Sequence, residues 1–345
     1  MTVSSAEKSA LAHDGGRNCS IDIFRAVCAI LVVAIHADPV GGMNLPILRS
    51  VLNSVEFIAV PFFFMTAGYF FSNGFTKKRE ILLPYLKRLL IPYAAWSSIY
   101  MLAEFFRAGK YNIRVFFANC FFRFFISGSE YHLWYFPAVI TAVIIVALFF
   151  VLRLEKLIFP VSFLLYAYFI AGKCYLRLFE NSPALTAFFS IFQNYSLQRL
   201  FLYGVPCFCA GYPIKLLHDR NGFVCRNSKA ITAFFAVMFV CEYILITSFG
   251  VSSPSAMFSH YFLAASILIT LLEYPMPKKQ KSGKICRIFA SFTYYSHPIF
   301  LMLLDSLAVG QISTLLRYIL AVALCALFSW GIYKADNKYL NTVCC

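Results

Sequence analysis

A succession of apolar runs, too long and too uniform to be the one-sided faces of soluble helices, restricts this chain more than any other feature. Val139–Leu152 has Thr141 as its only polar side chain, and Ala230–Ile246 carries one charge, Glu242. Neither run alternates polar with apolar, so a transmembrane β-barrel does not fit; both read as helices that are hydrophobic on every side. Composition agrees, with 61% hydrophobic residues and 13% charged. A soluble domain cannot hide that share of apolar surface, whereas lipid can solvate the outside of a bundle.

Runs of about 15–22 apolar residues, the length a bilayer demands, fall near 21–38, 51–72, 88–106, 133–152, 157–172, 199–217, 230–249, 257–274, 288–306 and 315–333. The expected fold class is therefore all-α and integral to the membrane, a bundle of about ten transmembrane helices. Residues 1–20 are polar and read as a disordered tail without a signal-peptide pattern. The transmembrane domain covers 21–335, and 336–345 form a short second tail. Placing the N-terminus in the cytoplasm puts 21 of the 30 Lys and Arg residues in cytoplasmic segments and leaves nine outside. That bias predicts cytoplasmic termini and a multi-pass protein of the plasma membrane. It also explains the net charge of +15 without nucleic acid, because the cations gather in short connections rather than on one binding face. The segment 107–130, aromatic and basic, reads as an amphipathic helix lying in the interface. Twelve cysteines scatter singly with no metal-ligand or redox spacing, which points to small buried hydrophobes and to no metal.

Ionisable groups at membrane depth cost several kcal/mol unless paired or facing water, so each is a functional candidate. In the first run, Arg25 and His36 are eleven residues apart, within about 20° of one helix face and about 16 Å along the axis. Asp22 lies close to the same face. One stripe thus offers a cation at the cytoplasmic rim, able to hold phosphates, and an imidazole deeper in, able to take a proton from a hydroxyl. The alternative stays open that Arg25 pairs with Asp22 and His36 bonds a neighbouring helix. YHLWYFPA (131–138) places His132 and Trp134 at an outer interface, where Trp134 also serves as an anchor. SFTYYSHP (291–298) sets His297 inside the ninth run beside Tyr294. His260, Glu56, Glu242 and Glu273 are weaker candidates, and His218 reads as exposed.

Five strings in order carry a resemblance. The first run shows Arg25, ten residues, then His36; AVPFFFMTAGYFF (59–71), KRLLIPY (87–93), YHLWYFPA and SHPIF follow. Together they resemble the acyltransferase-3 family of multi-spanning membrane acyltransferases, and in particular the membrane domain of vancomycin-resistance-type serine racemases. The likeness covers about residues 20–335. It implies transfer of an acyl group, commonly acetyl, from cytosolic acyl-coenzyme A (acetyl-CoA) to an extracytoplasmic acceptor such as a cell-surface glycan hydroxyl. Carried over by position, His36 and Arg25 are the catalytic pair, Arg88 with Lys87 meets the donor, and Tyr294, His297, His132 and Trp134 line the substrate path. Three positions depart from the family pattern: Tyr85 stands three before Arg88 where a second arginine is usual, Ala67 precedes Gly68 in place of a small polar residue, and Ala290 occupies a serine position. In the racemases a pyridoxal-phosphate domain follows the membrane part. These 345 residues leave no room for one, so neither pyridoxal phosphate nor racemisation is expected. The same kinship offers a second reading, a module that binds or transports an amino acid such as serine.

Overall fold

The computed structural model describes residues 18–108, 119–179, 181–192, 194–251, 254–276, 280–308 and 312–344. The polar tail through residue 17 and the centre of the expected interfacial helix, 109–118, lie outside them. All ten apolar runs are helical, and no strand occurs among the described residues. The principal helices are α1 Cys19–Ala37, α2 Pro46–Glu56, α3 Ala59–Phe75, α4 Leu82–Ala108, α5 Tyr135–Val151 and α6 Ile158–Ala171. They continue as α7 Tyr195–Arg220, α8 Ser228–Ser248, α9 Phe258–Glu273, α10 Gln280–Ala308, α11 Thr314–Ala335 and α12 Lys338–Cys344. By length and composition six segments can cross a membrane: α1, the α2–α3 pair, the stretch Arg79–Phe106, α7, α8 and α11; α5 and α9 are apolar but shorter.

Helix ends follow local chemistry. Asn18 accepts backbone N–H groups of Ser20 and Ile21 and starts α1 inside the expected tail, while Asp38, left-handed at φ 47°, ends it. Glu242 accepts the N–H groups of Phe258 and Ser259 and so caps α9 from the neighbouring α8. The expected second run breaks at Phe57–Ile58 into α2 and α3.

Two cores hold the bundle. One packs α1, α3, α5, α6, α7 and α9; the other packs α1 and α5 with α4, α10, α11 and α12. At the crossing of α3 and α7 two glycines face each other. A Cβ on Gly68 would sit 1.9 Å from the Phe208 carbonyl oxygen, and one on Gly211 would sit 2.1 Å from the Tyr69 nitrogen. Only hydrogen at both positions allows the backbones to approach this closely, as small residues do where lipid supplies no hydrophobic push between helices. Outward faces are apolar instead of charged: along α8, Phe234, Val237, Val240 and Ile244 are all exposed. In water such a face would be unstable; in hydrocarbon it is the expected surface.

Candidate active site

Three of the six histidines, from three separate parts of the chain, meet at the end of the bundle where α1 finishes. His36 occupies the last turn of α1, so its imidazole belongs to this end of the bundle. His132 lies in the turn before α5 and His297 inside α10. The rings of His36 and His297 stack with centroids 5.3 Å apart, and His132 meets His297 edge-on at 5.0 Å. Tyr131 packs on His36 at 4.5 Å, while Tyr100 and Tyr294 flank His132 at 5.3 and 5.5 Å.

Backbone chemistry fixes the His297 ring. Pro298 has no N–H, so the carbonyl four residues before it, that of Tyr294, lacks its helical donor. The His297 Nδ1 lies 3.1 Å from that oxygen and 2.9 Å from the Thr293 oxygen. Both partners are acceptors, so Nδ1 carries the hydrogen and a neutral ring keeps its lone pair on Nε2. That Nε2 is buried with no hydrogen-bond partner among the described residues, as are both nitrogens of His132. Tyr294 in turn donates its hydroxyl to the backbone oxygen of His132, tying α10 to the turn before α5. Below them Tyr100 donates to the Tyr295 carbonyl at 2.6 Å, and the Ser129 hydroxyl donates to Ser97 at 2.7 Å.

A cavity of about 310 Å³ opens beside the cluster, lined by His36, His132, Trp134 and Tyr294 together with Tyr135, Lys173, Tyr195, Arg199 and Tyr203. Its size suits a sugar-scale molecule. Of the residues expected from sequence to carry the site, these first four share the cavity, and His297 stands against two of them. Arg25, Lys87 and Arg88 do not line it. They sit toward the opposite end, Lys87 and Arg88 exposed near the start of α4. Tyr85 donates to the Ala67 carbonyl at 3.4 Å, so two of the positions that depart from the family pattern touch each other.

Sequence reasoning missed Arg199. It lies in a π-helical segment, Gln198–Gly204, within α7, the kind of local widening that often marks functional sites. Its guanidinium stands 4.4 Å over Tyr195 and 5.1 Å over Trp134, and it lines the same cavity as His36. The available signal was a basic residue entering an apolar run on the side where cations are scarce. His260 is structural: its Nδ1 accepts from the Met257 N–H at 3.0 Å and its Nε2 donates to the Ser54 carbonyl at 2.7 Å. His218 departs from expectation, being half-buried with its Nδ1 2.8 Å from the Glu273 carboxylate. Cys225 completes a group whose ligand atoms lie within 4.8 Å of one another, far from the histidine cluster in topology, at the other end of α9. Eleven cysteines are free thiols among the described residues, nine of them buried.

An amino-acid racemase of Enterococcus faecalis is 28% identical over 223 residues, 64% of this chain and 31% of that protein. Another from the same organism is 27% identical over 306 residues, 84% of this chain and 42% of that protein. A serine/alanine racemase of Enterococcus gallinarum is 24% identical over 231 residues, 65% and 32% respectively. The chain thus spans less than half the length of each of these relatives. No solved structure matches it. The Acyl_transf_3 model, described as an acyltransferase domain, matches residues 18–334, and the chain belongs to that family.

Proposed function

We propose that this protein is a multi-pass plasma-membrane acyltransferase that moves an acyl group, acetyl in the simplest case, from cytosolic acyl-CoA to a hydroxyl of an extracytoplasmic acceptor, such as a cell-surface glycan. Family membership supports acyl transfer. The observation that carries the reading further is the set of three packed histidines, two of them with ring nitrogens that have no hydrogen-bond partner among the described residues, beside a cavity able to hold an acceptor. In this reading ten helices cross the bilayer, both termini are cytoplasmic, and the histidine end faces outward.

An imidazole nitrogen, on His36 or on His297 through its Nε2, takes the proton from the acceptor hydroxyl as the oxygen attacks the thioester carbonyl. The C–O bond forms, the C–S bond breaks, and coenzyme A leaves as a thiol after receiving the proton. Arg25, Arg88 and Lys87 hold the phosphates of the donor at the cytoplasmic end. The rise of about 16 Å from Arg25 to His36 along α1 is a distance an extended pantetheine arm can bridge.

Purified protein reconstituted in liposomes is incubated with radiolabelled acetyl-CoA. Coenzyme A and acetyl-CoA are expected to raise its thermal midpoint, because a ligand bound to the native state stabilises it, and label is expected on an acceptor. The racemase names of the relatives favour a second reading, in which the cavity takes an amino acid. Accumulation of labelled serine by the same liposomes, with no response to acetyl-CoA, would establish that reading and remove the first.

A further inference from the structure

Two cations line the cavity without a part in the proton transfer just described. Lys173 is exposed just beyond α6. Arg199 is half-buried on the π-helical segment of α7. Both lie over one ring: the Lys173 Nζ is 5.2 Å and the Arg199 guanidinium 4.4 Å from the centre of Tyr195. The π faces of Tyr195 and Trp134 hold these cations in place, and they leave the N–H donors unspent. The Arg199 Nε is buried and has no hydrogen-bond partner among the described residues.

Three other basic residues at the same end of the bundle are neutralised by carboxylates. Arg49 pairs with Asp38, Arg123 with Glu104, and Arg317 with Asp305. Among the described residues neither Lys173 nor Arg199 has an ion pair, and no Asp or Glu lines the cavity. The orienting bias of the chain removes cations from these connections, and a cation at membrane depth needs a partner. Lys173 and Arg199 face one ring and border a cavity whose lining has no carboxylate, so both can turn their charge on a single anionic group.

We propose that Arg199 and Lys173 form an oxyanion-binding subsite at the mouth of this cavity, and that the acyl acceptor is an anionic molecule whose carboxylate or phosphate docks there while its hydroxyl reaches the histidines. This deepens the acyl-acceptor reading given above and rests on it for the word acceptor; the subsite itself is tested by binding alone. Guanidinium is suited to either group, since its fork matches two oxygens at once.

The full chain in lipid nanodiscs, with no acyl donor present, is titrated at constant ionic strength with glucuronate, glucose 6-phosphate and glucose. Tryptophan emission reports occupancy, because Trp134 is one of three tryptophans and lines the cavity. At least one anionic sugar is expected to bind ten or more times tighter than glucose, and whichever it is names carboxylate or phosphate as the source of the charge. Arg199→Gln and Lys173→Gln are each expected to weaken that binding at least tenfold; Lys173, exposed at the rim, keeps the test available if the Arg199 variant fails to fold. Equal binding of glucose, no binding of any of the three, or undiminished binding by both variants overturns the subsite. Absence of acyl transfer by the unsubstituted protein when acetyl-CoA is then added, with binding intact, would overturn the enzymatic reading alone.

Discussion

Replacing Pro298 by alanine separates a structural from a functional reason for the His–Pro pair in α10. Proline in a helix interior is disfavoured by up to about 3 kcal/mol relative to alanine. The substitution restores an N–H that can donate to the Tyr294 carbonyl, so on helix energetics alone the variant is at least as stable as the parent. The same new donor competes with the His297 Nδ1, which now shares that oxygen at 3.1 Å and the Thr293 oxygen at 2.9 Å. Losing one of two acceptors removes about 1 kcal/mol of preference for the Nδ1–H tautomer, on the scale of one net hydrogen bond, or roughly a fivefold smaller ratio of rings with the lone pair on Nε2 to rings with it on Nδ1. Steady-state transfer from acetyl-CoA is therefore expected to show kcat reduced, by at most about fivefold, at unchanged KM for the donor, with an unchanged or raised thermal midpoint. Nitrogen NMR of labelled histidine reads the tautomer directly. A variant with full kcat, or one in which the His297 tautomer is unchanged, would refute the reasoning.

Other perturbations probe separate parts of the account. Gly211→Ala forces a methyl group to within 2.1 Å of the Tyr69 nitrogen and 2.2 Å of the Gly68 carbonyl carbon; with backbone on the opposing side, the helices must part, and a loss of about 1–3 kcal/mol is expected in detergent or denaturant unfolding. Tyr294→Phe leaves the His132 backbone oxygen without its hydroxyl donor; a stability loss of about 1–2 kcal/mol and a fall in kcat are expected together, with both measured on the same preparation. His260→Leu breaks bonds to Met257 and Ser54, so it lowers the thermal midpoint while activity per folded molecule stays at the parent level. Arg88→Gln is expected to raise the KM for acetyl-CoA severalfold with kcat nearly kept, since the residue is exposed and remote from the histidines.

The helices were legible because the signal for them is local. Each apolar run needs only its own length and lack of charge to declare itself, and all ten are helical. The break between α2 and α3 was not legible, because Phe57 and Ile58 are as apolar as their neighbours. The site was legible one helix at a time. Periodicity could align Arg25 with His36 on α1, and the motifs could mark His132 and His297, yet nothing in spacing says that rings from α1, α10 and the turn before α5 come within 5.3 Å of each other. That is tertiary packing. The stripe on α1 also divides in three dimensions: His36 borders the cavity, whereas Arg25 does not line it. His218 was misjudged for a related reason. Its helix ends in a polar stretch, but the short helix Phe223–Arg226 turns the chain back so that the imidazole meets Glu273. Arg199 was overlooked because a basic residue beside an apolar run resembles a topology signal until its aromatic neighbours are known.

The most direct test of the acyl-transfer proposal is the rate at which thiol appears when acetyl-CoA is supplied to wild-type protein and to His36→Ala in liposomes with an extracted envelope fraction as acceptor. Removal of a general base is expected to slow that release by about 10²–10⁴-fold while the thermal midpoint of the variant stays close to that of the parent. Release at the parental rate from a folded His36→Ala protein would contradict the role given to this imidazole.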